Sequence, residues 1–283
     1  MRKLYLVVRL ALVSAVLFGM AACASPPGIS EAEPQLSGKL VLTGSSTIAP
    51  LAAELGKRFE AMHPDVRVDV QAGGSARGIT DVRQGLSTIG MVSRDLKDDE
   101  QDLVATTIAR DGVCIILPQA SPVTELSRQQ IVDIYLGKVT NWAEVGGPDA
   151  PITVVNKAEG RSALELFTQF FKIDAKDIKA QVVIGDNEQG IKTVAGNPNA
   201  IGYVSIGTAE YDAAHGTPIK LLPLDGVAAT SEHVRDGTFP IARPLNLVTV
   251  GQPQGLAQAF IEWARSPAMY EVVKEQFLVP LGG

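Results

Sequence analysis

Residues 40–51, LVLTGSSTIAPL, form an apolar segment that ends in glycine and continues into hydroxyl-bearing residues and a proline. The apolar part is typical of a short buried strand that ends at Gly44, and Pro50 is tolerated only near the start of a helix. Beyond it, apolar residues recur at spacings of three and four, which predicts an amphipathic helix: Ile48, Leu51, Leu55, Phe59 and Met62. The hydroxyls of residues 45–47 therefore lie at a strand-to-helix junction, where they either cap the helix or hold an anion.

The alternation of strand and helix continues after this junction. VRVDVQA (66–72) alternates valine with polar residues, GGSARGITDVRQGL (73–86) begins with two glycines and becomes helical, and STIGMVS (87–93) is apolar again. We expect Ile79, Val82 and Leu86 to face inward. The order strand, helix, strand, helix, strand predicts an α/β sheet with parallel pairing and right-handed crossovers.

The rest of the chain has the same alternating pattern. Further predicted elements are a strand at 111–118, a helix at 126–137 with a capping box formed by Ser127 and Gln130, a strand at 150–157, a helix at 160–171, a strand, helix and strand within 181–205, and a final helix at 266–277 capped by Ser266.

The first residues have the pattern of an export segment. A basic start, an apolar run and small residues before Cys23 predict a signal peptide at 1–22. Small residues directly before a cysteine resemble a lipoprotein cleavage site, with Cys23 as the lipidated residue and a membrane anchor. Ordinary cleavage is the alternative, because residues 22–24 also fit A-x-A. Residues 23–37, rich in Pro, Ser and Glu, are predicted to form a flexible tether.

Charge and cysteine content exclude several function classes. The 283 residues contain 25 Lys and Arg and 31 Asp and Glu. Removal of 1–22 deletes three basic residues and no acid, which leaves 22 positive against 31 negative charges, a net charge of −9. An acidic chain argues against nucleic acid as a partner but not against a small anion held locally. If Cys23 is lipidated, Cys114 is the only thiol left, so we expect no intramolecular disulfide and no zinc cluster. Cys114 lies in an apolar run, which is typical of a buried structural cysteine.

Three strand-to-helix junctions share glycine and serine: TGSSTIAP (43–50), AGGSARGI (72–79) and NKAEGRSALELF (156–167). Ligands of open α/β sheets bind outside the carboxyl ends of the strands, where helix N-termini present free N–H groups. Arg77, Arg94, Lys157 and Arg161 are close to these junctions in sequence. Together they predict a site for a tetrahedral oxyanion.

Five segments carry a family resemblance: residues 44–51, 73–96, 126–147, 197–205 and 243–281. In these segments the chain resembles the phosphate-binding proteins of bacterial ABC transporters, the PstS type of periplasmic binding protein. The resemblance implies a type II two-lobed α/β fold, with helices on both faces of each sheet and a hinge between the lobes. Residues 38–111 and 241–283 would form lobe 1, and residues 112–240 would form lobe 2.

The function implied is capture of inorganic phosphate in the cleft between the lobes and delivery to an ABC transporter permease. The protein would be exported, monomeric, without a cofactor and not an enzyme. By position, the resemblance implies these ligand-binding residues: Ser45, Ser46, Thr47, Ser75, Ser93, Arg94 and the junction that begins at Lys157.

This last junction departs from the family pattern. Many members have an arginine followed by G-S-G-T, whereas this chain has Lys157 and then Gly160, Arg161, Ser162 and Ala163. A guanidinium can bind two oxyanion oxygens at once, while lysine acts as a point charge. We therefore expect Arg161 to supply the guanidinium and Ser162 to donate its hydroxyl or its amide.

Selectivity between phosphate and sulfate stays open at this level. Phosphate carries a proton near neutral pH, so a buried carboxylate that accepts it would favour phosphate over sulfate. Some family members have an aspartate where this chain has Arg94. Glu159, Asp81 and Asp186 are possible substitutes, and another oxyanion such as sulfate is the alternative ligand.

Enzyme motifs are weak in this chain. Its three histidines are far apart in sequence, and it has no G-x-S-x-G elbow and no P-loop. A phosphate-ester-binding enzyme or a phosphate sensor is the less favoured alternative.

Overall fold

A computed structural model describes residues 36–282. The strands are β1 (Gly38–Gly44), β2 (Val66–Ala72), β3 (Ile89–Val92), β4 (Leu103–Pro118), β5 (Thr153–Lys157), β6 (Val182–Ile184), β7 (Ala200–Ser205), β8 (Ile219–Leu221) and β9 (Ala242–Val250). The helices are α1 (Ala49–Met62), α2 (Ser75–Arg83), α3 (Arg128–Tyr135), α4 (Ser162–Phe171), α5 (Asn187–Ala195), α6 (Ile206–Ala214), α7 (Ser231–Arg235), α8 (Gly255–Ala264) and α9 (Tyr270–Glu275). Short 3₁₀ helices lie at Asp98–Glu100, Trp142–Val145, Ala175–Asp177 and Pro267–Met269.

The strands follow one another in the order β2-β1-β3-β9-β4-β7-β5-β6, with β8 beside β4. The outer pairs β1–β2, β1–β3, β5–β6 and β5–β7 are parallel, as expected for strands joined through helices. The central pairs β3–β9, β9–β4 and β4–β7 are antiparallel. Two parallel α/β units are therefore joined through antiparallel strands.

Two large apolar cores divide the described chain into two lobes. The first core draws its residues from 40–109 and 245–278, and the second draws them from 113–241 and Val279. Strands β4 and β9 pair from Leu103 opposite Val250 to Gly112 opposite Ala242, so their paired segment runs to the border between the cores. The two-lobed α/β class predicted from the sequence is confirmed, whereas the lobe boundaries at 111/112 and 240/241 stay a prediction.

Aromatic packing supports one of the predicted junctions directly. In the second core the rings of Phe167 and Tyr203 stack with their centroids 4.2 Å apart. The Tyr203 hydroxyl accepts a hydrogen bond from the Lys157 backbone N–H and donates one to the Asn156 side chain. The end of β5 is thereby fixed against β7, and this end carries Lys157.

Local predictions hold with a few exceptions. The Ser127–Gln130 capping box is present at α3. Strand β4 begins at Leu103 rather than at residue 111. Leu86, expected to face inward, lies beyond the end of α2 and is 65% exposed. Ser266 precedes a 3₁₀ turn and makes no side-chain capping bond.

The predictions for the signal peptide at 1–22, for lipidation at Cys23 and for nearly all of the 23–37 tether lie outside the described residues. Within residues 36–282 the structure contains no helix that is both long enough and apolar enough to cross a membrane.

Candidate functional site

Four helices begin around one small cavity. Its lining includes residues from the junctions that precede α1, α2, α4 and α5, so four helix N-termini converge on it. The cavity is small, so it suits one small ion rather than a large organic solute. The lining residues are Ser45, Ser46, Thr47, Gly74, Ser75, Ser93, Lys157, Arg161, Ala163, Gly185, Asn187 and Arg243.

Close backbone packing positions the junction between β1 and α1. Gly44 has φ +134°, and a Cβ at this position would lie 2.3 Å from the Met91 carbonyl oxygen, so only glycine fits between the ends of β1 and β3. The Ser45 Oγ accepts hydrogen bonds from the backbone N–H groups of Thr47 (3.2 Å) and Ile48 (3.4 Å). Ser45 therefore orders the turn that precedes α1, and its neighbours remain available to the cavity.

Three cavity hydroxyls have their oxygens occupied by protein donors. Thr47 Oγ1 accepts from Arg243 Nη2 (2.9 Å) and Asn187 Nδ2 (3.1 Å), and Ser75 Oγ accepts from the Ser93 N–H (3.1 Å). Ser93 Oγ accepts from Ser45 Oγ at 2.9 Å. A hydroxyl that accepts in this way still has its own hydrogen to donate. All three hydroxyls are thus arranged to donate to a ligand.

Lys157 is a buried cation without a carboxylate partner. Its Nζ donates to the amide oxygen of Asn187 at 3.0 Å, and no ion pair with it is found among the described residues. The pKa of Lys157 is lowered to about 7, chiefly by burial and in smaller part by the nearby charges of Arg243 and Arg161, while Asp186 opposes this shift. An anion that offers only hydrogen-bond acceptors to Nζ would stabilise the charged form of this lysine.

Arg161 is the second cation without a partner. Within residues 36–282 its guanidinium makes no hydrogen bond and no ion pair, and burial lowers its pKa. The side chain reaches across to the first lobe, where a Cβ on Gly74 would lie 2.8 Å from Arg161 Cδ. The Ala76 N–H also donates to the Gly160 carbonyl at 3.2 Å, so the α2 and α4 junctions touch.

Arg243 is the third cation at the cavity, and it is paired. It stands opposite Asp111 in the register of β9 and β4, and its Nη2 lies 2.7 Å from Asp111 Oδ2 with both side chains 1% exposed. The same guanidinium donates to Thr47 Oγ1 at 2.9 Å and Ser93 Oγ at 3.3 Å. Arg243 therefore joins the central strands to the first lobe at the cavity wall.

Seven of the nine predicted ligand residues line the cavity: Ser45, Ser46, Thr47, Ser75, Ser93, Lys157 and Arg161. Ser162, the first residue of α4, is buried beside them, and its hydroxyl has no hydrogen-bond partner among the described residues. The structure does not bring the Arg94 side chain into this group. Its guanidinium bonds Glu100 at 2.7 and 2.8 Å and lies 2.9 Å from Glu165 Oε2, because these carboxylates offer it a buried pairing away from the cavity.

No carboxylate among the described residues lines the cavity. Asp81 pairs with Arg77 at 3.0 Å, and Asp186 caps α5 by accepting from the Gln189 N–H at 2.8 Å. Glu159 is exposed to solvent. The three acids considered as acceptors are thus used elsewhere or turned away.

Two lining residues, Asn187 and Arg243, are absent from the sequence-based set. Asn187 follows β6 in the motif GDN, a fourth strand-to-helix junction that resembles the other three and could have been included on that ground. Arg243 lies in a strand and owes its place to pairing with Asp111, 132 residues away in sequence. Only the register of β4 and β9 reveals it.

The arrangement can hold an anion. It offers two cations without carboxylate partners, a third cation, several hydroxyl hydrogens and the positive ends of four helices. Its serines have no histidine or carboxylate base in the lining, and residues 36–282 contain no cluster of three or more His, Cys, Asp or Glu that could bind a metal. Ion binding rather than nucleophilic catalysis is therefore the chemistry that these residues support.

The buried Asp111–Arg243 pair gives a stability prediction. We expect Asp111→Asn to lower the free energy of unfolding by about 3 kcal/mol, because it leaves the Arg243 charge buried without its counter-charge. Asp69→Asn, which removes the acid of the exposed Lys39–Asp69 pair, should cost less than about 0.5 kcal/mol. Urea unfolding of both variants measures the difference, and equal small losses would contradict the role given to the buried pair.

Known proteins of one family are similar to this chain. Residues 30–268 match the family model of the PBP superfamily domain. The chain is 29% identical over 258 residues to the phosphate-binding protein PstS of Bacillus subtilis, covering 89% of this chain and 84% of that relative.

Two solved structures share the fold over nearly their whole length. One is a phosphate ABC transporter substrate-binding protein from Clostridium perfringens with bound phosphate, at 31% identity, TM-score 0.80 and coverage of 87% of this chain and 100% of that one. The other is an ABC-type phosphate transport receptor from Vibrio cholerae, at 27% identity, TM-score 0.66 and coverage of 86% and 99%. The family predicted from the sequence motifs is confirmed: the chain belongs to the PBP superfamily, and its relatives are of the PstS type.

Proposed function

We propose that this protein captures inorganic phosphate between its two lobes and delivers it to the permease of an ABC transporter. The observation that carries the proposal is the pair of basic side chains, the buried Lys157 and the partly buried Arg161, which face a small cavity without a carboxylate partner among the described residues. Burying a cation without an anion is costly, so the closed cleft is complete only with an anion inside. The names of the relatives identify that anion as phosphate.

The ligand set that we propose combines both lobes. The first lobe and the central strands give Ser46, Thr47, Ser75, Ser93 and Arg243, and the second lobe gives Lys157, Arg161, Ser162 and Asn187. Ser45 supports the set by ordering the turn that precedes α1. Arg94 supports it through contacts between the lobes instead of touching the ion.

Capture would proceed by closure of the lobes without chemical conversion of the ion. With lobe 1 as 38–111 and 241–283 and lobe 2 as 112–240, Asn187 Nδ2 donates across the cleft to Thr47 Oγ1 at 3.1 Å. Glu165 Oε2 of α4 also forms ion pairs with Arg94 Nε and Lys97 Nζ, each at 2.9 Å. Contacts made only in the closed state allow bound phosphate to shift the lobes toward closure, which the permease can recognise.

The remaining assignments follow from this role. The protein would work outside the cytoplasm, exported by the segment 1–22 and held at the membrane by a lipid on Cys23. It would act as a monomer and as a binding protein, not as an enzyme. Sulfate is the second candidate ligand, favoured by the absence of a carboxylate from the described cavity lining.

Calorimetric titration of the exported part of the chain with phosphate and with sulfate tests the proposal. We expect Arg161→Ala to weaken phosphate binding at least tenfold, about 1.4 kcal/mol, because the variant loses a partly buried guanidinium that has no other partner among the described residues. Arg265→Ala, which removes an exposed arginine outside the cavity lining, is the matched control and should bind like the parent. Strong sulfate binding without phosphate binding would overturn the ligand, and unchanged affinity in Arg161→Ala would remove Arg161 from the site.

The contacts of Glu165 give a second prediction. Glu165→Gln removes the negative charge that meets Arg94 and Lys97, so we expect phosphate affinity to fall about three- to tenfold through a less favourable closed state. Glu232→Gln, which alters an exposed pair with Arg235 within α7, should leave affinity unchanged. Small-angle scattering should show the Glu165 variant more open without phosphate. The same affinity and shape as the parent would argue against a closing role.

A further inference from the structure

The protonated oxygen of phosphate needs a hydrogen-bond acceptor. No carboxylate among the described lining residues can serve as this acceptor. This point rests on the proposed function, because only a phosphate ligand brings the proton. Asp111 Oδ2 is held by Arg243, and its Oδ1 accepts from the Gly207 N–H at 3.1 Å. Asp186 caps α5. A P–O–H group left without an acceptor in a buried cavity would cost binding free energy.

Lys157 has the geometry of an acceptor when its amine is neutral. Its side chain is buried and makes one side-chain hydrogen bond, in which Nζ donates to the neutral amide oxygen of Asn187. A neutral amine has two hydrogens and one lone pair. One hydrogen is used by Asn187, so the lone pair and the second hydrogen remain for the cavity.

Burial and two nearby cations favour this neutral form of Lys157 in the empty site. Arg161, which precedes α4, and Arg243 on β9 line the same cavity and repel a third positive charge. The negative charge of Asp186 at the start of α5 opposes this repulsion, but one of its oxygens accepts a hydrogen bond from the Gln189 N–H. The neutral Tyr203 hydroxyl on β7 bonds the backbone N–H of Lys157 and not its amine. Burial has the largest effect, the repulsion adds to it, and the pKa of Lys157 is lowered to about 7.

We propose that Lys157 is a specificity-determining residue of this site, whose neutral amine accepts the hydrogen bond from the protonated oxygen of phosphate. The proton stays shared between the phosphate oxygen and Nζ, so no bond to phosphorus changes. Phosphate and the amine thus supply between them the single proton that the contact requires.

Sulfate lacks that proton, and the difference depends on pH. Above the pKa of Lys157 the empty site holds a neutral amine, so monohydrogen phosphate binds without net proton exchange. Sulfate must instead draw a proton from solvent to make the charged lysine that it needs. Sulfate affinity should therefore fall close to tenfold per pH unit above neutrality, while phosphate affinity stays nearly constant.

Titration calorimetry of the parent protein tests this without any substitution. Phosphate and sulfate are each titrated at pH 7.5 and pH 8.5, in two buffers of different ionisation enthalpy that count the protons taken up. At pH 8.5 we expect uptake near one proton per sulfate and near zero per phosphate, and between pH 7.5 and pH 8.5 we expect the phosphate-to-sulfate affinity ratio to rise. Equal proton counts for the two ions would overturn the role of Lys157.

A variant then assigns the effect to one residue. Lys157→Arg keeps the charge but cannot become neutral, so sulfate affinity should lose its pH dependence and the ratio at pH 8.5 should fall at least tenfold. Lys138→Arg, at an exposed lysine, should keep the parent's ratio. An unchanged ratio in Lys157→Arg would overturn the inference. A parent protein that binds no phosphate would contradict the proposed function instead, so the two failures are distinguishable.

Discussion

The buried ion pair between Asp111 and Arg243 connects the two central strands to the cavity. Both side chains are 1% exposed, and such a pair is tolerated only when its remaining donors and acceptors are used. Here they are used, because Asp111 also receives the Gly207 N–H and Arg243 also reaches Thr47 and Ser93. One interaction thus fixes β4 against β9 and holds a cation at the point where the lobes meet.

The other groups around the cavity are arranged as hydrogen-bond donors. Helix N-termini provide N–H groups that have no partner within their own helix, and four of them converge here. Hydroxyl oxygens are occupied by neighbouring donors, which directs their hydrogens to the cavity. The stretch GSST shows the division: Ser45 orders the turn before α1, while Thr47 accepts from Arg243 and Asn187 and keeps its hydrogen for the ligand.

Sequence patterns predicted the features that depend on residues close together in the chain. The junctions before α1, α2 and α4 were recognisable because glycine and serine between a strand and a helix have local physical causes, and the structure brings all three to one cavity. Arg243 was not recognisable, because its position depends on the register of two strands far apart in the chain. The side chain of Arg94 was expected at the ligand because it follows Ser93, yet its direction is decided by Glu100 and Glu165, which a local pattern does not reveal.

The central claim is that this cavity holds phosphate through groups from both lobes. A crystal structure of the protein grown with phosphate tests it most directly. The account predicts one phosphate within hydrogen-bond distance of Lys157, Arg161 and the hydroxyls of Thr47 and Ser75, with the lobes closed around it. Phosphate bound elsewhere, or a cavity filled only by water at saturating phosphate, would contradict the account.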